Sequence, residues 1–302
     1  MTVRLRRSEL ATPGTQQKMI TKAAESDADL VFLDLEDAVA PGEKERARGA
    51  VIEALKNIDW GRKTRAVRIN DVGTTWAHDD IIDVVTGAGA HLDIIIVPKV
   101  KAPRDVWFVE TLLAQLEAKL GLERRIGLEA LIEEAEALAG VEEIAASSPR
   151  LEALILGVGD LSASLGIRLG HVDDPALRYP GDIWHYARSR MIAAARANGL
   201  DAIDGPYPNY RDSDSYRREA MWGSTLGCAG KWCIHPDQIP IANDVFSPTQ
   251  KEIDLARRMC EAYETAQRGG EGAAGASGVL IDAASLRIFQ GVLERARLTG
   301  RV

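Results

Sequence analysis

VFLDLEDAVAP, Val31–Pro41, opens as an apolar run of strand-forming residues and closes on Asp34, Glu36 and Asp37 ahead of a proline. Such a run reads as a strand buried on both faces, with three carboxylates collected where it ends. Counting LVFLDL (Leu30–Leu35), eight runs of this kind occur; the others are SELAT (Ser8–Thr12), RAVRIN (Arg65–Asn70), DIIIVP (Asp93–Pro98), IGLEALI (Ile126–Ile132), ALILGV (Ala153–Val158), LDAID (Leu200–Asp204) and GKWCIH (Gly230–His235). Apolar residues at three- and four-residue intervals predict helices between them at Glu43–Asn57, Arg104–Leu120, Glu134–Ser147, Ile183–Asn198 and Ser213–Leu226. Alternation of this kind, in this number, predicts an α/β fold: a (β/α)8 TIM barrel over residues 1–247. Chemistry in such a barrel belongs at the carboxyl ends of the strands, which here read TPG, LED, RIN, PK, IEE, VGD, DGP and IHP.

Residues 248–302 have a different texture. A predicted helix, Pro248–Gln267, leads into RGGEGAAGASG, a Gly-rich hinge, and VLIDAASLRIFQGVLERARL then resumes helical periodicity. This extension is too small to hold a core of its own. It reads either as a C-terminal helical lid or as a terminal helix packed on its own barrel.

Composition excludes several classes. With 302 residues and 46% apolar content the chain can bury a large core, so extensive disorder is not expected. A net charge of -8 argues against broad nucleic-acid binding, which needs an excess of cations. No apolar stretch approaches a membrane span and MTVRLRRSEL lacks the apolar region of a signal peptide, so a soluble, cytoplasmic protein is expected. Cys228, Cys233 and Cys260 form no CxxC and read as packed thiols.

Three features carry candidate chemistry. Glu133 and Asp160 end neighbouring strands and would point two carboxylates into one mouth, a donor set suited to Mg²⁺, which keeps positions for water and substrate. Arg68 would direct a planar fork into the same mouth, either to hold a carboxylate or enolate or to bridge acidic loops. Lys99 after IIIVP is a candidate Schiff-base amine, although no desolvating neighbours are evident. His235 in IHP reads as a hydrogen-bonded structural residue rather than a base.

LDLEDAVAP with K-x-x-A-R (Lys44 to Arg48), VRIN, IIIVPKV, VEEIAASSPRLEAL, LGVGDLSAS, DGP and GKWCIHPDQI, taken in order, resemble the HpcH/HpaI aldolase and citrate lyase beta-subunit superfamily. Within it the likeness is strongest to malyl-CoA and β-methylmalyl-CoA lyases, and IDAASL resembles their C-terminal lid. The resemblance implies a Mg²⁺-dependent (or Mn²⁺-dependent) carbon–carbon lyase. It would cleave a 3-hydroxyacyl-CoA thioester to a glyoxylate-like oxo acid plus acetyl-CoA or propionyl-CoA. It further implies Glu133 and Asp160 as metal ligands, Arg68 on the oxo-acid portion, and Glu36 and Asp37 as support around metal-bound water and Arg68, with Asp34 serving the barrel interior. Asp282 matches a catalytic lid residue supplied by an adjacent subunit, Lys22 a basic coenzyme A contact, and homotrimers or homohexamers the usual assembly.

Pro13-Gly14-Thr15-Gln16 departs from a family PGSR whose Arg approaches coenzyme A, so Lys22 is expected to carry that contact with Arg4, Arg6 and Arg7 as helpers. Glu134 stands where relatives often have Ser or Thr, and the loop from His171 to Trp184 looks short. Alternative readings are a citramalyl-CoA lyase, a citrate lyase beta-like protein, a malyl-CoA thioesterase and a non-enzymatic coenzyme A-binding module.

Overall fold

In the computed structural model, residues 3–168, 181–270, 273–276 and 279–302 are described, and the chain divides into two compact units, Met1–Asn243 and Asp244–Val302. The expected short loop and His171 fall largely on residues 169–180, outside the described residues.

The first unit is a closed barrel of eight parallel strands in sequence order. They are β1 (Ser8–Pro13), β2 (Leu30–Asp34), β3 (Thr64–Arg68), β4 (Ile94–Val97), β5 (Gly127–Ile132), β6 (Leu151–Leu156), β7 (Asp201–Asp204) and β8 (Gly230–Cys233). Closure pairs Ser8 with Lys231 and Leu10 with Cys233. Helices α1 (Gln17–Glu25), α2 (Lys44–Asn57), α3 (Ala77–Ala88), α4 (Pro103–Leu120), α5 (Ala135–Ala139), α6 (Val141–Ala145), α7 (Val158–Ser164), α8 (His185–Ala197), α9 (Ser213–Leu226) and α10 (Ile239–Val245) follow the strands. Among the described residues no helix is long and apolar enough to cross a membrane.

Alternation along each strand sends Leu30, Phe32, Ile94, Ile96, Leu131, Ile155 and Trp232 into the barrel, where they form one buried cluster. The opposite faces of the strands lie under the helices, which is why LVFLD is apolar at nearly every position and wholly buried.

Outward-facing charges pin helices to strands. Asp204, of the DGP segment, is fully buried and accepts from Arg188 Nε at 2.9 Å and Lys231 Nζ at 2.7 Å, tying α8 to β7 and β8. Arg48 donates to Asp80 at 3.0 Å, and Asp80 in turn receives the Asn70 backbone N–H at 2.9 Å, which locks α2, α3 and the end of β3 together. These motif residues build the scaffold rather than the mouth.

The basic residues ahead of β1 stand at the amino-terminal end of the barrel, because every strand of a parallel barrel begins there. Arg6 donates to Glu129 at 2.9 Å, Arg7 to Asp29 at 2.8 Å and Arg4 to Glu152 at 2.9 Å. The expectation that they help hold coenzyme A at the mouth is therefore corrected: they neutralise acids at the opposite end.

Two helical expectations also change. Glu134–Ser147 is broken into α5 and α6 at Gly140, whose φ of -114° and ψ of 25° leave the helical region. In the second unit, α11 (Gln250–Arg268) precedes an antiparallel ribbon of β9 (Ala274–Ala276) and β10 (Val279–Ile281), and α12 (Ala283–Leu298) follows. VLI is thus a strand, as its β-branched ends favour, and the helix starts only where Asp282 caps it, accepting from Ala284 N at 3.0 Å and Ser285 N at 2.8 Å. Met259, Tyr263 and Ile281 form a small buried cluster within this unit.

Glu9 lies fully buried inside the barrel, with Oε2 accepting from the Trp232 indole at 2.9 Å and Oε1 without a hydrogen-bond partner. Burial first, and then the neighbouring Glu129 carboxylate, hold its carboxyl well above the ordinary range. A raised folded-state value stabilises fully below the unfolded value near 4.5, and that stabilisation is lost as pH rises toward the folded value. Glu9→Gln keeps the acceptor for Trp232 and removes the titration. The melting temperature of Glu9→Gln minus that of wild type should therefore grow as pH rises above the unfolded value of 4.5; a constant difference would contradict a raised Glu9 carboxyl.

Candidate active site

Register builds the centre of the mouth. Asp34 and Arg68 are the last residues of β2 and β3 and are paired partners across the ladder, so their side chains emerge together on the inner face. Arg68 Nε donates to Asp34 Oδ1 at 2.8 Å and Nη2 donates to Oδ2 at 2.6 Å, while Nη1 stands 2.9 Å from Glu36 Oε2. Beneath the guanidinium lie the Phe32 and Trp232 rings, at 6.0 and 5.6 Å from its central carbon, themselves 4.5 Å apart. Asp34 also receives the Glu36 N–H at 2.9 Å, and Lys44 Nζ donates to the Leu35 and Glu36 carbonyls at 2.8 and 2.7 Å. Asp34 does face the barrel interior, as expected, but at its rim, where its role is to grip Arg68. Burial works against the charged Arg68, yet Asp34 and Glu36 overcome it and hold the guanidinium protonated.

Glu133 directly follows β5 and is 2% exposed, whereas Asp160 sits in the first turn of α7 with its carboxylate open to solvent. Glu133 Oε1 accepts the backbone N–H of Lys99 at 2.7 Å. Burial first, and then the Glu36 and Asp160 carboxylates, push Glu133 up to about 8. Glu36 is raised too, chiefly by burial, against the pull of Arg68 and Lys99. The carboxylates of Glu36, Asp37, Glu133 and Asp160 thus converge from three strand ends, and their mutual repulsion would be relieved by a cation.

Lys99 supplies one. It is the sole non-glycine among the described residues with positive φ, at 48°, and its amino group makes an ion pair with Glu36, stands 3.3 Å from Asp37 and lies 3.9 Å from Asp160. Burial acts to lower its basicity, but Glu36, Glu133 and Asp37 prevail and hold it well above the ordinary lysine range. The Schiff-base expectation is corrected on this ground, since a nucleophilic amine needs the opposite shift.

Glu133 and Asp160 present hard oxygen donors of the kind Mg²⁺ takes, and burial first, then the Glu36 and Asp160 carboxylates, raise Glu133. Among the described residues no three His, Cys, Asp or Glu side chains form a metal cage, so a cation held by this pair would complete its shell from water or substrate. Of the other expected site residues, Lys22 lies on the exposed face of α1, Asp37 is exposed at the rim, and Asp282 caps α12 in the second unit with its carboxyl lowered by the Ser285 N–H and hydroxyl. His235 stacks on Tyr210 with ring centroids 4.8 Å apart and accepts from Asp237 N at 3.3 Å, a structural arrangement as expected.

A model of the HpcH/HpaI aldolase/citrate lyase family matches residues 7–236. The chain is 39% identical to the L-malyl-CoA/beta-methylmalyl-CoA lyase of Rhodobacter capsulatus over 98% of this chain and 96% of that one. It is 38% identical to a (3S)-malyl-CoA thioesterase of Cereibacter sphaeroides, over 91% and 89% of the two chains. Among solved structures, the CitE protein of Mycobacterium tuberculosis in complex with magnesium, acetoacetate and coenzyme A superposes with a TM-score of 0.75 at 29% identity, covering 96% of this chain and 97% of that one.

Gly157, between β6 and α7, makes room for Glu133: a Cβ there would stand 2.4 Å from Glu133 Cβ and 2.6 Å from its Oε2. With Glu133 as a metal ligand, Gly157→Ala should push it off the Lys99 N–H and weaken Mg²⁺ binding by roughly 10–100-fold, the scale on which loss of a ligand's orienting hydrogen bond acts. Calorimetric Mg²⁺ titration of the folded variant measures this, and wild-type affinity would show that Glu133 can hold a metal from another position.

Proposed function

The chain belongs to the HpcH/HpaI aldolase/citrate lyase family, and from that premise we propose that it is a Mg²⁺-dependent carbon–carbon lyase acting on coenzyme A thioesters. Its reaction is the reversible retro-Claisen cleavage of malyl-CoA or β-methylmalyl-CoA to glyoxylate plus acetyl-CoA or propionyl-CoA. The observation that carries this reading is the convergence of Glu133, Asp160 and a clamped Arg68 on one barrel mouth, in a chain that is similar over its length to lyases of that name.

Glu133 and Asp160 are proposed as the metal ligands, with Mn²⁺ as an acceptable substitute, and the metal when bound supplies Lewis acidity to the oxygens of the oxo-acid portion. Every other requirement falls on the chain. Asp34 takes two of the five guanidinium N–H groups, so Arg68 retains donors on Nη1 and Nη2 for a substrate oxygen, and its position is set before substrate arrives. In cleavage the substrate hydroxyl passes its proton to solvent water and becomes the carbonyl of the oxo acid, as the bond between that carbon and the thioester α-carbon breaks and its electron pair moves to the thioester as an enolate. Arg68 stabilises negative charge at the oxo-acid end. Asp282 is proposed to return a proton to the α-carbon, or remove it in condensation, for a neighbouring subunit; its N–H contacts favour the carboxylate that removal requires. Lys22 is proposed to meet a coenzyme A phosphate, residues 248–302 to form the lid, Glu36 and Asp37 to support the metal's water and Arg68, and the protein to work as a cytoplasmic homotrimer or homohexamer.

A second reading, hydrolysis of malyl-CoA, is favoured by the 38% identity to a thioesterase of that name. Product analysis separates the two. Incubation with malyl-CoA and Mg²⁺ should yield glyoxylate and acetyl-CoA in equal amounts, and EDTA, Glu133→Ala or Asp160→Ala should each abolish most turnover; malate plus free coenzyme A would instead establish the thioesterase. Arg68→Lys keeps the charge but loses the fork, and should lower kcat/KM by about 100-fold or more; near-wild-type kinetics would reduce Arg68 to a loop bridge. Co-expressed Asp282→Ala and Glu133→Ala chains, inactive separately, should regain cleavage in mixed oligomers, whereas verified mixed oligomers without activity would remove Asp282 from the neighbour's site.

A further inference from the structure

We propose that Lys99 is a tethered counter-ion of the metal site, holding the acidic rim together before a divalent cation binds and lowering the affinity with which that cation is held. The inference rests on the reading of Glu133 and Asp160 as metal ligands and assigns a role to a residue which that reading leaves without one.

Three observations carry it. Lys99 adopts a left-handed backbone at φ 48°, a conformation that ordinarily goes to glycine, directly after Pro98 at the end of β4. That conformation does two things at once: it aims the Lys99 N–H at Glu133 Oε1, 2.7 Å away, and places the side chain against Glu36, Asp37 and Asp160. Of the other cations near the mouth, Arg68 is already engaged by Asp34 and Glu36, and Lys44 spends its ammonium on the Leu35 and Glu36 carbonyls, so neither is placed on Glu133 and Asp160. One ammonium therefore stands among four carboxylates that would otherwise repel one another.

A divalent ion at Glu133 and Asp160 would meet this ammonium as a like charge within a few ångströms. Part of the attraction of the acids is then spent on Lys99 rather than on the metal, and the backbone N–H keeps Glu133 oriented in either state. Lys99 is accordingly a positioning residue: loss of its charge should tighten metal binding, an effect opposite to that of simple structural damage.

The test is calorimetric titration of Mg²⁺ into the full-length protein without substrate, with melting temperatures measured in EDTA and in Mg²⁺. Lys99→Met retains the N–H and the apolar stem, and Lys99→Asn removes the charge with a residue that tolerates a left-handed backbone. Both should bind Mg²⁺ on the order of tenfold more tightly than wild type, as expected for removal of a like charge at short range. Both should also melt lower in EDTA and gain more from added Mg²⁺, whereas Lys99→Arg should keep the wild-type affinity. Equal or weaker binding by the Met and Asn variants, in a wild type that binds Mg²⁺ through Glu133, overturns the proposal for Lys99 alone. Failure of wild type to bind Mg²⁺, or undiminished binding by Glu133→Ala, overturns the metal-site reading and this inference with it.

Discussion

The bidentate pair between Asp34 and Arg68 is the contact on which the mouth depends. Both groups are buried, and removing one partner of such a pair typically costs roughly 3–5 kcal/mol, because the other is left charged without water. The fold makes the pair affordable by register: the two residues are ladder partners at the ends of adjacent parallel strands, so neither needs a long, entropically costly reach. The aromatic floor of Phe32 and Trp232 then fixes the height of the guanidinium above the apolar interior. Once Arg68 is fixed, Glu36 is drawn to its Nη1, and the loop carrying Glu36 is held by Lys44.

Charge is distributed unevenly along the barrel axis. At the amino-terminal end, Arg6 meets Glu129, Glu152 and Asp201, and Arg4, Arg65 and Arg124 gather on Asp93. At the mouth the carboxylates of Asp34, Glu36, Asp37, Glu133 and Asp160 stand around Arg68 and Lys99, and burial first, then neighbouring carboxylates, raise Glu133 and Glu36. Under-compensation there is what a site intended for an exogenous cation requires, since a fully neutralised mouth would have no reason to take up a metal. Between the two ends, burial holds the Glu9 carboxyl above its ordinary range.

Much of this was legible in the sequence. Eight apolar runs located the eight strands because a strand covered on both faces must be apolar along its length, and parallel order placed Arg68, Glu133 and Asp160 at one end. Other features depend on pairings that one-dimensional spacing does not contain. Asp34 holds Arg68 only because β2 and β3 meet in that register, and Lys99 reaches the acids only because its backbone turns left-handed after Pro98. Basic character alone suggests an anion-binding role for Arg4, Arg6 and Arg7, whereas their place before β1 sets them at the opposite end of the barrel. The strand at Val279–Ile281 was hidden by a helical apolar pattern that continues without a break into α12, and only the capping aspartate marks the change.

The central claim is that Glu133 and Asp160 together form the metal site of this barrel. It is tested most directly by anomalous diffraction from crystals grown with Mn²⁺ in place of Mg²⁺. The account predicts one strong anomalous peak at the mouth, bonded to a carboxylate oxygen from each of Glu133 and Asp160 at about 2.1–2.2 Å, with the remaining positions taken by water or substrate. A peak held by other residues, or a mouth without one at saturating Mn²⁺, would contradict it.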